Sequence, residues 1–115
     1  MTESVQLSDL AEADLVVLST NLGKELQQVT DPDRIAALAT FLAARQDGWY
    51  VPAGGPRVMK LRLNFSTGGV SRGSVGFGAK YLVAQRRGRF YQRDAEPGDR
   101  ARLLELLELA DPDNP

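Results

Sequence analysis

The alternation of apolar and polar residues between positions 59 and 77 restricts the fold of this chain more than any other feature. In the first half, every second residue is apolar: Met59, Leu61, Leu63 and Phe65. After the turn at Gly68-Gly69, the same period returns with Val75 and Phe77. A period of two is typical of strands that bury one face and expose the other. The pattern therefore predicts two strands of a hairpin packed on a core.

Shorter segments on both sides of this hairpin predict four more strands. Residues 15–19 form a valine-rich apolar run, and residues 25–29 are linked back to it by a glycine-containing turn. Residues 81–86 and 89–92 are separated by Arg87-Gly88, a pair that favours a hairpin turn.

Two helices are predicted from their end signals and apolar stripes. In the first, residues 32–46, Asp31 can cap the amino terminus, Pro32 takes the first position and Asp47-Gly48 ends the helix. The second is expected over about residues 96–109, where leucines dominate.

The element order β-β-α-β-β-β-(β)-α predicts an α+β fold with a single, mostly antiparallel sheet and two helices packed on one face. A length of 115 residues suits a single domain spanning residues 1–115. We expect residues 1–12 and 110–115 to be flexible ends.

The helix start carries a resemblance to known proteins. The segment Val29-Thr30-Asp31-Pro32-Asp33-Arg34-Ile35, followed by a helix and a hairpin sheet, resembles small uncharacterised bacterial α+β proteins with a Val/Ile-Thr-Asp-x-x-x-Ile helix start. The resemblance covers about residues 14–109 and implies the fold alone, since no known activity comes with it. Some proteins of this type are exported or lipid-anchored.

Charge is segregated along the chain, although the net charge is only −1. Residues 1–47 carry a net charge of −5, residues 48–93 carry +9 with no acid, and residues 94–115 carry −5. The alternation directs Lys60, Arg62 and Arg72 away from the core, so a basic sheet face is expected. The candidate binding residues of this face are Lys60, Arg62, Arg72, Arg86, Arg87 and Arg89.

Three interpretations of this basic face remain open. It can be a solvated surface that complements the acidic helices, a surface for nucleic acid, or a docking surface for an acidic protein or a second copy of the chain. Trp49 and Tyr50, in a Gly/Pro-rich loop, are candidate aromatic contacts, although a core position for Trp49 is the alternative. We expect a non-catalytic domain that binds another protein through this face and loop, with nucleic acid as the second possibility.

An enzymatic or small-molecule role is the third possibility. The chain has no His and no Cys, which removes the commonest general base and the thiolate nucleophile. The glycines between Gly68 and Lys80 do not match a phosphate-binding loop in spacing or context. No catalytic, cofactor-binding or metal-binding residues are therefore predicted.

The sequence also bears on location. The longest apolar run, residues 15–18, is too short to span a membrane, and the acidic first residues do not resemble a signal peptide. We expect a cytoplasmic protein, with an exported mature form as the alternative.

Overall fold

The structure is a computed structural model that describes residues 2–109. Within these residues, one six-stranded antiparallel sheet packs against two α-helices, which confirms the predicted α+β class and element order. The strands are β1 (Leu15–Thr20), β2 (Glu25–Val29), β3 (Leu61–Thr67), β4 (Val70–Phe77), β5 (Tyr81–Arg86) and β6 (Arg89–Asp94). The helices are α1 (Pro32–Ala43) and α2 (Asp99–Leu106).

The strands lie side by side in the order β2-β1-β3-β4-β5-β6. The connection through α1 brings β3 against β1, so that Val16 is opposite both Val29 and Phe65. From β3 to β6 the chain follows a meander of hairpins.

The core lies between the helices and one face of the sheet. A row of fully buried residues crosses four strands in register: Leu18, Leu63, Val75 and Ala84. Ile35, Leu38 and Leu42 of α1 belong to the same buried cluster, as do Leu103 and Leu104 of α2. Both helices therefore cover this face, as the alternation predicts.

The first helix begins as predicted. The Asp31 carboxylate accepts a hydrogen bond from the backbone N–H of Asp33 at 3.0 Å, and Pro32 takes the first helical position. The second helix is shorter than predicted, because Gly98 takes a left-handed conformation (φ 89°) immediately before it. Glu108, with φ 55°, follows its end.

The expectation of a flexible amino-terminal segment differs from the structure. Residues Ser8–Glu12 form a 3₁₀-helix that packs against α1. Val5, Leu7 and Leu10 are buried in the core, and Glu3 pairs with Trp49 through two backbone hydrogen bonds. Their burial removes apolar surface from water, which fixes a segment too short to show a period in the sequence. The expectation for residues 110–115 lies outside the described residues.

Within residues 2–109, no helix has the length and apolar character needed to cross a bilayer.

Candidate binding groove on the open face of the sheet

The face of the sheet opposite the helices, here called the open face, carries polar residues in register. One row runs from Val17 through Asn64 and Ser74 to Gln85. The next row pairs Ser19, Arg62 and Gly76. The period of two that buries the apolar residues directs these side chains to the other side.

A concave groove of about 680 Å³ lies on the open face. We call it the polar groove and define it by seven polar residues of its lining: Arg62, Asn64, Ser71, Arg72, Ser74, Gln85 and Arg87. Glu25 is an acidic residue of its lining.

Hydrogen bonds within the groove leave its amide donors available. Ser71 Oγ donates to Asn64 Oδ1 at 3.0 Å, and Ser74 Oγ donates to Gln85 Oε1 at 3.4 Å. Because both amide oxygens accept from hydroxyls, the amide NH₂ groups of Asn64 and Gln85 remain as donors. The floor of the groove therefore suits a ligand rich in hydrogen-bond acceptors.

Two arginines that line the groove, Arg62 on β3 and Arg87 in the exposed turn after β5, keep their charges available to a ligand. Within residues 2–109, neither Arg62 nor Arg87 forms an ion pair or a side-chain hydrogen bond. Arg87 (φ 52°) and Gly88 (φ 78°) form the predicted turn between β5 and β6. Two successive positive φ values are typical of the tight turns that join antiparallel strands.

Arg72 lies at the end of the groove and already has partners. The register shifts between Phe65 and Ser66, so that Arg72 is the extra residue of a β-bulge. Its Nε donates to Thr67 Oγ1 at 2.5 Å, and its Nη1 lies 3.8 Å from a carboxylate oxygen of Glu12. Glu12 therefore offsets part of the charge of Arg72.

The prediction that Arg86 and Arg89 share this face is wrong. Leu82 and Ala84 of β5 face the helices, and Arg86 follows them at the same period. Its Nη2 donates to Asp9 Oδ2 at 2.6 Å, and its Nη1 donates to the carbonyl oxygen of Gln6 at 2.8 Å. Arg89 is opposite Arg86 in the register, and both line a cavity beside the amino-terminal segment, which Arg87 of the adjoining turn also lines.

The hydrogen bond from Arg86 holds the pKa of Asp9 below its ordinary value, although burial acts in the opposite direction. Arg86 therefore anchors the amino-terminal segment and contributes nothing to the polar groove. Lys60 precedes β3 and lies outside the groove. Of the six predicted basic residues, Arg62, Arg72 and Arg87 line the polar groove, although Arg72 and Arg87 also line a cavity that contains Asp9 and Arg86.

The prediction of an aromatic contact is wrong for Trp49 and stays a prediction for Tyr50, which is half-buried. Trp49 is fully buried, and its Nε1 donates to the carbonyl oxygen of Arg45 at 2.6 Å. The hydroxyl of Tyr50 accepts from Gln92 Nε2 at 2.9 Å. The alternative of a core position for Trp49 is therefore correct, since the loop turns its first aromatic ring inward.

Residues 50–60, here called the strap, run from the edge strand β6 to the start of β3, and residues 56–59 line a cavity on the open face. Tyr50 forms two backbone hydrogen bonds with Gln92, each of 2.8 Å, and Gln92 Oε1 accepts from the N–H of Arg57 at 3.1 Å. The guanidinium of Arg57 stacks over the ring of Tyr81, 4.5 Å from its centroid. The buried Gln92 therefore holds both ends of the strap.

The alternation predicts that Met59 faces the core, and this prediction is wrong. The strand begins at Leu61, and the side chain of Met59 lies against Gly76 on the open face. A Cβ at Gly76 would lie 2.8 Å from Met59 Cβ and Cγ. A glycine inside a strand can indicate such a close approach of another segment, so the sequence carries a signal for the strap.

Comparisons with models of known families, with curated proteins and with solved structures find no match to this chain. Among the described residues, no three Asp or Glu side chains are grouped so that they could hold a metal ion. The functional proposal therefore rests on the geometry of the polar groove.

Proposed function

We propose that this protein is a non-catalytic binding domain that holds an acidic segment of a partner protein in the polar groove. One observation carries the proposal: Arg62 and Arg87, which have no partner within the described residues, lie with the amide donors of Asn64 and Gln85 in one groove. Guanidinium groups bind carboxylates through paired, charge-assisted hydrogen bonds. Amide donors suit the backbone carbonyls of the same segment.

The environment of the aromatic rings favours a protein ligand over nucleic acid. Single-stranded nucleic acid is held by bases stacked on exposed aromatic rings as well as by phosphate contacts. Here Trp49 is buried and the ring of Tyr81 is covered by Arg57. Among the described residues, Phe90 is the one exposed aromatic side chain, at 40%.

The pairing of the remaining charges also favours a small, local site over a broad basic surface. Arg86 pairs with Asp9, Arg72 lies near Glu12, and Arg93 lies 3.8 Å from Glu96. Acids from the ends of the chain therefore offset arginines of the basic middle segment. The partner, in our proposal, presents a few carboxylates and does not need a long polyanion.

The partner can be a different protein or a second copy of this chain. Residues 1–47 and 94–115 each carry a net charge of −5, so another copy offers acidic segments. Sedimentation at increasing protein concentration distinguishes self-association from binding to a separate partner. The cytoplasmic location expected from the sequence stays a prediction.

Fluorescence anisotropy with a labelled oligoglutamate peptide tests the proposal. The unmodified protein should bind the peptide, and binding should weaken as salt is added, because the contacts are between charged groups. The double variant Arg62→Glu/Arg87→Glu should lose at least about tenfold in affinity, which corresponds to roughly 1.4 kcal/mol. Its melting temperature should stay close to that of the unmodified protein, since exposed substitutions change stability little.

The matched control is Lys80→Glu/Arg102→Glu, which makes the same change in net charge away from the groove. Lys80 is exposed between β4 and β5, and Arg102 is exposed on α2. This control should bind oligoglutamate nearly as well as the unmodified protein. Equal losses in both double variants would show that binding follows net charge and would contradict the proposal. Much tighter binding of single-stranded RNA than of oligoglutamate would favour the nucleic-acid alternative.

A further inference from the structure

A second cavity, of about 210 Å³, lies between the strap and the open face. We call it the strap cavity. Val58 and Met59 of the strap and Val83 and Phe90 of the sheet contribute its apolar lining. Arg62, Ser74 and Gln85 line both this cavity and the polar groove, so the two sites are continuous.

Contacts within the chain hold the strap cavity in shape. Gln92 bonds the strap at both Tyr50 and Arg57, and Met59 occupies the space that the missing side chain of Gly76 provides. A site held in this way does not have to be ordered when a ligand binds, which lowers the entropic cost of binding.

The size and lining of the cavity suit one apolar side chain. A dry cavity of about 150 Å³ is enough to bind benzene, so 210 Å³ accommodates a phenyl ring. Val58 is 78% exposed and Phe90 is 40% exposed at this site. A ligand ring placed between them would remove apolar surface of both from water.

We propose that the strap cavity binds one apolar side chain, preferably aromatic, of the same partner segment whose carboxylates lie in the polar groove. Arg62 lines both sites, so its guanidinium, which can bind a carboxylate, lies beside the apolar lining of the strap cavity. The recognised sequence is therefore an acidic segment interrupted by a hydrophobic residue. This inference rests on the proposed function and adds which partner sequence the same site prefers.

The experiment compares two labelled peptides of equal length: oligoglutamate, and oligoglutamate with one central glutamate replaced by phenylalanine. We expect the second peptide to bind about tenfold more tightly, because its ring is buried in the strap cavity. Two variants should remove this preference and leave binding of oligoglutamate unchanged. Val58→Ser removes an apolar wall, and Val83→Phe fills the cavity from the sheet.

The matched control is Val51→Ser, at another exposed valine of the strap that does not line the cavity. It should keep the full preference for the phenylalanine-containing peptide. Since Val58 and Val51 are both exposed, neither serine variant should change the melting temperature appreciably.

The outcomes separate this inference from the proposed function. If oligoglutamate binds and the phenylalanine-containing peptide binds no better, the strap cavity has no role in recognition and the proposed function stands. If the preference exists but survives in both Val58→Ser and Val83→Phe, the ring binds elsewhere and the inference is wrong. If neither peptide binds, both proposals are wrong.

Discussion

At the scale of single residues, Gly76 determines the shape of the open face. It lies inside β4, next to the last residue of the strand, and its missing side chain makes room for Met59. The strap can lie flat on the sheet because of this position. The polar groove and the strap cavity meet at this part of the sheet.

We expect Gly76→Ala to destabilise the protein by about 1–3 kcal/mol, because the new Cβ would lie 2.8 Å from Met59 Cβ and Cγ. The strap should also become more accessible to protease. Gly78→Ala is the matched control, since its Cβ would meet Met59 Sδ at an ordinary 3.6 Å. Thermal melting and limited proteolysis of both variants check the expectation; equal stability would contradict it.

Asp99 is the buried charged residue with the most consequence for pH dependence. Its side chain is 2% exposed and accepts hydrogen bonds from Arg45 Nε at 3.0 Å and from Arg45 Nη2 at 2.6 Å. Burial alone would raise the pKa of Asp99. The hydrogen bonds from Arg45 and from the N–H of Glu96 outweigh burial, together with the nearby charges of Arg45 and Arg93, and lower that pKa below its ordinary value.

The lowered pKa fixes the direction of the pH effect. The contribution of Asp99 to stability is fully present above the unfolded-state pKa of about 3.9 and is lost as the pH falls through the lower folded-state pKa. We expect Asp99→Asn to lower the free energy of unfolding at neutral pH by about 2–3 kcal/mol. Denaturation between about pH 5 and pH 2 should show a smaller loss of stability in the variant than in the unmodified protein. A parallel loss in both would contradict this role of Asp99.

At the scale of elements, the amino-terminal segment contributes more than its sequence indicates. Its 3₁₀-helix is five residues long, yet Leu7 and Leu10 are buried against the rest of the core. Arg86 of β5 fixes the same segment from the sheet side through Asp9 and Gln6. The segment therefore closes one side of the core.

We expect Leu10→Ala to destabilise the protein by about 2–5 kcal/mol, as is usual for a fully buried leucine. Leu22→Ala is the control, since Leu22 is 90% exposed in the turn between β1 and β2 and its loss should change stability by less than about 0.5 kcal/mol. Unfolding in urea measures both. A stability loss of similar size in the two variants would contradict the anchoring of this segment.

The elements that could be predicted from the sequence are those with a local signal. The alternation predicts β3 and β4, and Asp31-Pro32 predicts the start of α1, because both depend on neighbouring residues. The amino-terminal segment and the strap have no period, since distant residues hold them in place. Their burial follows from tertiary packing, which local secondary-structure propensity does not predict.

The candidate site was predicted in part for the same reason. Arg62 was placed correctly because the period of β3 is regular. The face of Arg86 does not follow from the sequence, because residues 81–84 are apolar on both faces of β5 and show no alternation. For Trp49 both a surface contact and a core position stay open at the level of sequence, because a loop rich in Gly and Pro does not reveal which way its rings point.

At the scale of the whole molecule, the segregated charges of the sequence are recombined by folding. Asp9, Glu12 and Glu96 from the acidic ends meet Arg86, Arg72 and Arg93 from the basic middle segment. Arg62 on the open face and Arg87 in the turn after β5 both line the polar groove, and no described side chain bonds to either. The fold thus concentrates the available positive charge of this face at the polar groove.

The most direct test of this account is a titration of the isotope-labelled protein with oligoglutamate, followed by amide chemical shifts in NMR spectra. We expect the largest shifts at Arg62, Asn64, Ser74, Gln85 and Arg87, with small shifts on α1 and α2. The shifts should disappear in Arg62→Glu/Arg87→Glu. Shifts centred on the helices, or on Ser4, Gln6 and Ser8 of the amino-terminal segment, would contradict the assignment of the polar groove as the binding site.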